Sequence, residues 1–203
     1  TMRMEEDKLE GYVNTLLGLR EKYKNQISIK IGLECEYFEK YIPWLKKTLK
    51  NYPIDYIILG NHFDDTDETG IYFGRPLTQQ QLTKYVDNCI KAIHSGLYSY
   101  VAHPDLACYK TDDPFYYQEM KRLCLAAKEA NMPLEFNLLG YSTNRHYPNT
   151  TFFKIAKEVG NKVIIGTDAH ESSALLDMQT YQQAKALLEQ MGLELTEEIK
   201  FLR

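Results

Sequence analysis

Apolar residues recur along the chain with two alternating periods. Between residues 5 and 24 they follow helical spacing, and the next segment, 27-ISIKIGLE-34, alternates isoleucine with polar residues as a strand does. Later segments repeat this alternation, with Thr78 as an N-cap, Pro114 in a first helical turn and Gly160 as a C-terminal stop. The pattern predicts helices over 5–24, 38–50, 78–95, 114–131, 150–160 and 172–191, and strands over 27–34, 55–62, 99–105, 133–137 and 162–170.

The five predicted strands are short and apolar, which is typical of a parallel sheet covered on both faces. Parallel α/β folds carry their functional sites at the carboxyl ends of the strands. A β/α barrel explains the pattern better than an open sheet, because every strand contributes a polar end and the ends converge around a ring. We therefore expect one α/β domain of barrel type over residues 1–203. The polar residues at the strand ends are Glu34, His62, His103, Asn137, Asp168 and His170.

The composition restricts the class of protein. A formal net charge of −4 and a pI near 5.8 argue against nucleic acid or an anionic membrane as the main partner. No apolar run approaches the ~20 residues needed to cross a bilayer. The 4 cysteines are scattered without C-x-x-C spacing, which predicts reduced thiols in a cytoplasmic protein.

Three of the five histidines fall at strand ends, namely His62, His103 and His170, and they are accompanied by Glu34 and Asp168. Any one of these histidines alone is equally well explained by ordinary packing in a core or loop. The set as a whole is typical of a metal site. Imidazoles and carboxylates together suit zinc, manganese or iron, and several of each indicate more than one ion.

Neighbouring polar residues are expected to support these candidates. Pro104 restricts His103 to an extended backbone, which limits where the imidazole points. Asp105 is expected either to orient a metal ligand through a hydrogen bond or to cap the next turn. Glu135 and Asn137 share one face of their strand and point into the barrel, where a supporting role is favoured over metal binding.

Five motifs in order on successive strands resemble those of the polymerase and histidinol phosphatase (PHP) superfamily, and most of all its histidinol-phosphatase branch. The resemblance implies a distorted (β/α)7 TIM-like barrel with up to three divalent metal ions at the strand ends. It implies that Glu34 bridges two metals, that His62 and His103 complete the second, and that Asp168 and His170 bind the first and third. The motifs are 32-GLE-34, 60-GNH-62, 102-AHPD-105, 135-EFN-137 and 166-GTDAH-170.

The chain departs from the superfamily pattern at its start. Members begin with a strand that ends in an H-x-H pair, and a later strand ends in another histidine. This chain opens on a predicted helix and has no histidine before His62. We therefore expect that the first β/α units of the barrel are missing and that Thr1 is not the natural start. The alternative is a member that has kept only the second metal position.

The resemblance implies a metal-dependent phosphomonoesterase that acts on L-histidinol phosphate in histidine biosynthesis, with Glu34, Asp168 and His170 as catalytic residues. Close divalent ions suit this reaction because they activate water and neutralise phosphate oxygens. Two alternatives stay open: a phosphoesterase of the same superfamily that acts on nucleotides or another small phosphate ester, and a non-catalytic domain of the same fold.

Candidate substrate-binding residues lie in the loops that follow two of the strands. Arg145, in the loop 139-LGYSTNRHYPN-149, is the first candidate for a phosphate donor, because a guanidinium group matches phosphate oxygens in a fork. Arg75 is a second candidate, and His146 is expected to help shape the substrate pocket. An exposed loop arginine without a ligand explains the first position equally well.

Overall fold

The computed structural model describes residues 4–202 as a mixed α/β fold of five strands and seven α-helices. The strands are β1 (Gly32–Cys35), β2 (Tyr56–Leu59), β3 (Leu134–Asn137), β4 (Lys162–Gly166) and β5 (Glu194–Leu195). The α-helices are α1 (Leu9–Tyr23), α2 (Ile42–Asn51), α3 (Gln79–His94), α4 (Pro114–Glu129), α5 (Leu138–Ser142), α6 (Thr150–Val159) and α7 (Met178–Gln190).

All five strands run parallel and follow one another in chain order. β1 pairs with β2, and β4 pairs with β3 on one side and β5 on the other. Val101 connects the two groups, because it forms a parallel bridge to Leu59 of β2 and another to Leu134 of β3. This row confirms the predicted parallel α/β architecture. Within residues 4–202 it does not close into a barrel.

Apolar side chains of the strands form the centre of the core. Leu59, Val101, Leu134 and Val163 are completely buried, and helix α4 packs between α3 and α6 to cover the row. Burial of each such side chain stabilises the fold by about 1.5–3 kcal/mol. The core therefore fixes the strand ends relative to one another, and the site depends on those ends.

Local signals set the helix ends where the sequence predicts them. Thr78 and Gln81 form a reciprocal capping box at the start of α3, and Pro114 occupies the first turn of α4. Gly160 closes α6 with a φ of 80°, a left-handed conformation that favours glycine. None of the helices within residues 4–202 has the length and apolarity needed to span a membrane.

All five strands are shorter than predicted; the one predicted over 55–62, for example, covers only Tyr56–Leu59. The strand predicted over 27–34 begins only at Gly32, and the strand predicted over 99–105 is reduced to the single bridge at Val101. In the last case proline at position 104 offers no backbone N–H, so the chain cannot continue a hydrogen-bonded ladder there.

The backbone turns sharply at two of the candidate site residues. His103 has a φ of 29° and Asp168 a φ of 46°. The expectation that Pro104 keeps His103 extended is therefore wrong, and the strand predicted over 162–170 ends at Gly166. Positive φ angles cost about 1–3 kcal/mol in residues other than glycine and are concentrated at functional sites.

The end of the chain also differs from the prediction. The helix predicted over 172–191 is divided into a 3-10 turn at Ser172–Leu176 and α7, because Asp177 adopts a non-helical conformation and caps α7 through Thr180. Helix α5 and strand β5 were not predicted. Both are so short that periodicity gives no signal for them.

Candidate metal centre

Three of the predicted metal ligands meet at the carboxyl ends of the strands. Nε2 of His103 lies 3.0 Å from Oε1 of Glu34, and Nε2 of His62 lies 3.5 Å from the same oxygen. The two imidazole rings are 4.7 Å apart between centroids. Glu34, His62 and His103, here called the ligand cluster, each offer one ligand atom within 4.8 Å of the others.

The ligand cluster fits a divalent cation. One carboxylate oxygen and two imidazole nitrogens are the donor types that zinc prefers. Ligand atoms bound tetrahedrally to zinc at about 2.0–2.1 Å lie roughly 3.3 Å from one another. The separations of 3.0 and 3.5 Å between Glu34 and the two histidines are close to that value.

The charge around His103 also favours a cation. Burial lowers the pKa of this imidazole, but the hydrogen bond with Glu34 and the nearby charges of Glu135 and Asp168 outweigh burial and raise the pKa to about 9. The Nδ1 atom of the same ring is buried without a hydrogen-bond partner among the described residues. The surrounding carboxylates thus carry more negative charge than a neutral imidazole balances.

Two glycines make room for the carboxylates of the site. A Cβ atom at Gly60 would lie 2.1 Å from Oε1 of Glu34, and one at Gly166 would lie 1.8 Å from Oε1 of Glu135. Each glutamate therefore lies against the backbone of the neighbouring strand. Steric overlap with these carboxylates therefore explains why the two motifs carry glycine at these positions.

Glu135 and Asn137 link His103 to Asp168. Oε2 of Glu135 accepts the backbone N–H of His103 at 2.8 Å and an N–H of Asn137 at 3.0 Å. Asn137 also donates to Oδ2 of Asp168 at 3.1 Å, and Glu34 and Asp168 line one cavity of about 110 Å³. Burial raises the pKa of Glu135. Asp168 therefore lies beside the ligand cluster but is outside it.

His170 lies further out. Its side chain is 73% exposed, and its Nδ1 atom is 3.6 Å from Oδ1 of Asp168 and 2.9 Å from the backbone oxygen of the same residue. Two of the five predicted ligands, Asp168 and His170, are thus adjacent to each other and are not brought into the three-residue cluster within residues 4–202.

Sequence reasoning missed Glu36. Its side chain is only 4% exposed, and it binds both the backbone N–H and the ring of His62. The one available signal was the spacing of 34-ECE-36, which puts two carboxylates on the same face of a strand.

Asp105 contacts a different loop rather than the ring of His103, whose Nδ1 atom has no hydrogen-bond partner among the described residues. Its Oδ2 atom accepts the backbone N–H of Asn149, while Oδ1 is buried without a partner among the described residues. His146 reinforces the same connection, since its Nε2 lies 2.7 Å from the backbone oxygen of Leu106. These contacts hold the 139–149 loop against the turn that carries His103.

Arg145 lies close to the turn that carries His103. Nη1 of Arg145 donates to the hydroxyl of Tyr147 at 2.6 Å, and the ring of Tyr147 lies 5.7 Å from that of His103 between centroids. Burial raises the pKa of Tyr72, and the positive charges of Arg145 and Arg75 oppose that increase. Both guanidinium groups therefore lie near Tyr72.

The comparisons with known proteins agree with the geometry of the site. No protein-family model matches the chain. Several of the curated proteins that are similar to this chain are histidinol-phosphatases. The enzyme of Bacillus subtilis is 28% identical over 200 residues, which cover 83% of this chain and 73% of that protein. The enzyme of Lactococcus lactis is 22% identical over 198 residues, covering 91% and 72% respectively.

The fold is shared with a solved histidinol phosphate phosphatase from Lactococcus lactis, whose structure contains zinc, L-histidinol and phosphate. The TM-score is 0.69 at 19% identity, and the match covers 96% of this chain and 80% of the other. At this identity the likeness shows the fold alone.

Proposed function

We propose that this chain is a metal-dependent phosphomonoesterase that hydrolyses L-histidinol phosphate to L-histidinol and phosphate. The observation that carries the proposal is the ligand cluster, because a carboxylate and two imidazoles converge at the strand ends of a fold shared with a zinc-containing histidinol phosphate phosphatase. The sequence similarity to histidinol-phosphatases supports the same substrate.

The roles of the site residues follow from their positions. Glu34, His62 and His103 would hold one divalent ion, and Asp168 with His170 would contribute to further ions, up to three of zinc, manganese or iron. A bound divalent ion supplies Lewis acidity toward phosphate oxygens and makes hydroxide available near neutral pH. Glu34, Asp168 and His170 are the proposed catalytic residues.

The loops supply the contacts to substrate in this proposal. Arg145 and Arg75 would bind the phosphate group through charge-assisted hydrogen bonds. Tyr147 orients Arg145 by accepting its Nη1 hydrogen, which lowers the entropy lost when the guanidinium group binds. His146 would shape the pocket from the same loop, since its contact with Leu106 fixes the loop beside the cluster.

We further propose that the row of strands belongs to a distorted (β/α)7 barrel that forms a single domain. All strands are parallel and in chain order, as successive strands of such a barrel are, and their carboxyl ends share one edge. The position of the ligand cluster at that edge supports this arrangement.

The test is phosphate release from L-histidinol phosphate by the chain in the presence of manganese or zinc, with an aryl phosphate alongside. We expect release from L-histidinol phosphate that Glu34→Gln abolishes. The matched control is Glu39→Gln, a change at an exposed glutamate that pairs with Lys91 outside the site. Activity on the aryl ester alone would keep the phosphatase activity but reject L-histidinol phosphate as its substrate. No phosphate release from either ester would contradict the proposed function.

A further inference from the structure

Glu36 holds His62 by its backbone and by its ring at the same time. Oε1 and Oε2 of Glu36 lie 3.1 and 3.0 Å from the backbone nitrogen of His62, and Oε1 lies 2.9 Å from Nδ1 of the ring. We propose that Glu36 is a positioning residue that fixes the tautomer of His62 and thereby sets the affinity of the ligand cluster for a divalent cation. This inference rests on the metal site of the proposed function.

The hydrogen-bond chemistry decides the tautomer. A carboxylate only accepts hydrogen bonds, so Nδ1 of His62 must be the donor in its contact with Glu36. In the neutral ring the proton then lies on Nδ1, and the lone pair is on Nε2. Nε2 is the atom that lies 3.5 Å from Oε1 of Glu34, so the lone pair is directed at the cluster.

The second histidine of the cluster is held differently. Glu135 binds the backbone N–H of His103 at 2.8 Å, but Nδ1 of that ring has no partner among the described residues. Both histidines thus have their backbone N–H bound by a carboxylate from a neighbouring strand end. In His62 that same carboxylate also binds the ring, whereas the ring of His103 bonds Glu34 instead. Removal of Glu36 should therefore change the orientation of one imidazole and leave the other in place.

Glu36 is itself fixed in position. Its backbone oxygen accepts the hydroxyl of Tyr98 at 2.9 Å, and the ring of Tyr98 packs edge-on against Tyr37 at 6.5 Å between centroids. A carboxylate on such a rigid support keeps its hydrogen bonds aligned at little entropic cost. Partners of this kind behind a metal-binding histidine typically change metal affinity by about 10- to 100-fold when they are removed.

The test compares the zinc affinity of Glu36→Ala and Glu36→Gln with that of the parent chain, by competition with a chromophoric chelator and without substrate. We expect Glu36→Ala to lose about 10- to 100-fold in affinity. Glu36→Gln should lose less affinity than Glu36→Ala, because its oxygen at the Oε1 position still accepts from Nδ1 of His62. Its NH2 group then lies at the Oε2 position, 3.0 Å from the backbone nitrogen of His62, so a smaller loss remains. Glu119→Ala is the control, since Glu119 is a buried carboxylate bound to Arg122 on α4.

A second measurement reads the tautomer itself. Long-range proton–nitrogen correlation spectra of the metal-free chain should show His62 protonated on Nδ1 in the parent and in Glu36→Gln, and altered in Glu36→Ala. The signal is assigned with His62→Gln. This readout does not depend on whether Glu36→Ala loses stability, because Glu36→Gln and the parent already test the predicted tautomer.

Several results would overturn the inference. Zinc affinity of Glu36→Ala within about threefold of the parent, an equal loss in Glu119→Ala, or a parent His62 protonated on Nε2 would each do so. A parent that binds no zinc would overturn it together with the metal site. A parent that binds zinc but does not hydrolyse L-histidinol phosphate would reject the proposed function and leave the role of Glu36 standing.

Discussion

Gly60→Ala should remove metal binding while leaving the fold intact. Gly60 follows β2, and its Cα lies under the carboxylate of Glu34. An added Cβ would be 2.1 Å from Oε1 and 2.7 Å from Cδ and Cγ of that side chain. An ordinary van der Waals contact is about 3.5 Å, so the oxygen must move by about 1.4 Å. Metal ligands tolerate displacements of only about 0.2 Å.

The expected magnitudes follow from the exposure of the displaced group. The side chain of Glu34 is 39% exposed, so its carboxylate can swing into water, but this movement leaves Nε2 of the buried His103 without its hydrogen-bond partner. The free energy of unfolding should therefore fall by about 1–3 kcal/mol, the cost of one buried polar group left without a partner. The affinity for zinc should fall by at least about 100-fold, since one of three ligands no longer reaches the cation, a larger change than loss of a supporting partner.

Gly166→Ala provides the contrast. Its added Cβ would be 1.8 Å from Oε1 of Glu135, which is buried and holds the backbone N–H of His103 and an N–H of Asn137. Overpacking costs about 1–3 kcal/mol, and each buried hydrogen bond that breaks adds about 1–3 kcal/mol. We expect this variant to lose about 2–6 kcal/mol of stability if one of the two hydrogen bonds breaks, and more if both do.

The assay combines urea denaturation with chelator competition for zinc. Gly18→Ala is the control, because Gly18 lies exposed inside α1 with no atom within 4 Å of the added Cβ. That variant should gain about 0.5–1 kcal/mol, since alanine favours a helix over glycine. Zinc affinity of Gly60→Ala equal to that of the parent, or unfolding of Gly60→Ala as severe as that of Gly166→Ala, would refute the steric reasoning.

Three further predictions address the site and the core. Removal of metal with a chelator should lower the melting temperature, because a cation at 100 times its Kd stabilises the native state by about 2.7 kcal/mol. Asp105→Ala breaks the hydrogen bond to Asn149 and should raise KM for L-histidinol phosphate more than it lowers kcat. Asn161→Ala is the control, because it removes a buried hydrogen bond elsewhere and should lower stability only. Cys89 and Cys124 are buried, and burial raises the pKa of Cys89 to about 12, so a thiol reagent should modify only the other two cysteines until the chain unfolds.

The parts of the fold that depend on neighbouring residues could be predicted from the sequence. Thr78 and Gly160 mark helix ends through contacts within one turn, and both predictions are confirmed. The meeting of Glu34, His62 and His103 could also be predicted, because parallel strands bring their carboxyl ends to one edge and those residue types bind metals.

The parts that depend on distant residues could not. Glu36 and His62 are 26 residues apart, and Asp105 and Asn149 are 44 apart, so no local pattern connects them. Periodicity also extended the strands too far. It records which residues are apolar, whereas the left-handed backbone at His103 depends on the packing of the turn that follows it.

The glycines show how the motifs act across strands. Glu34 and Gly60 lie on adjacent strands, as do Glu135 and Gly166, and in each pair the glycine comes two residues after the register partner of the glutamate. A carboxylate can lean over the next strand only where that strand has no Cβ, so the same offset in both pairs has one steric cause. The residue two positions after each glycine is a ligand candidate, which places it beside the carboxylate that the glycine admits. Each glycine thus makes room for a side chain of the preceding strand. A substitution at the glycine should therefore first displace the carboxylate of that neighbouring strand.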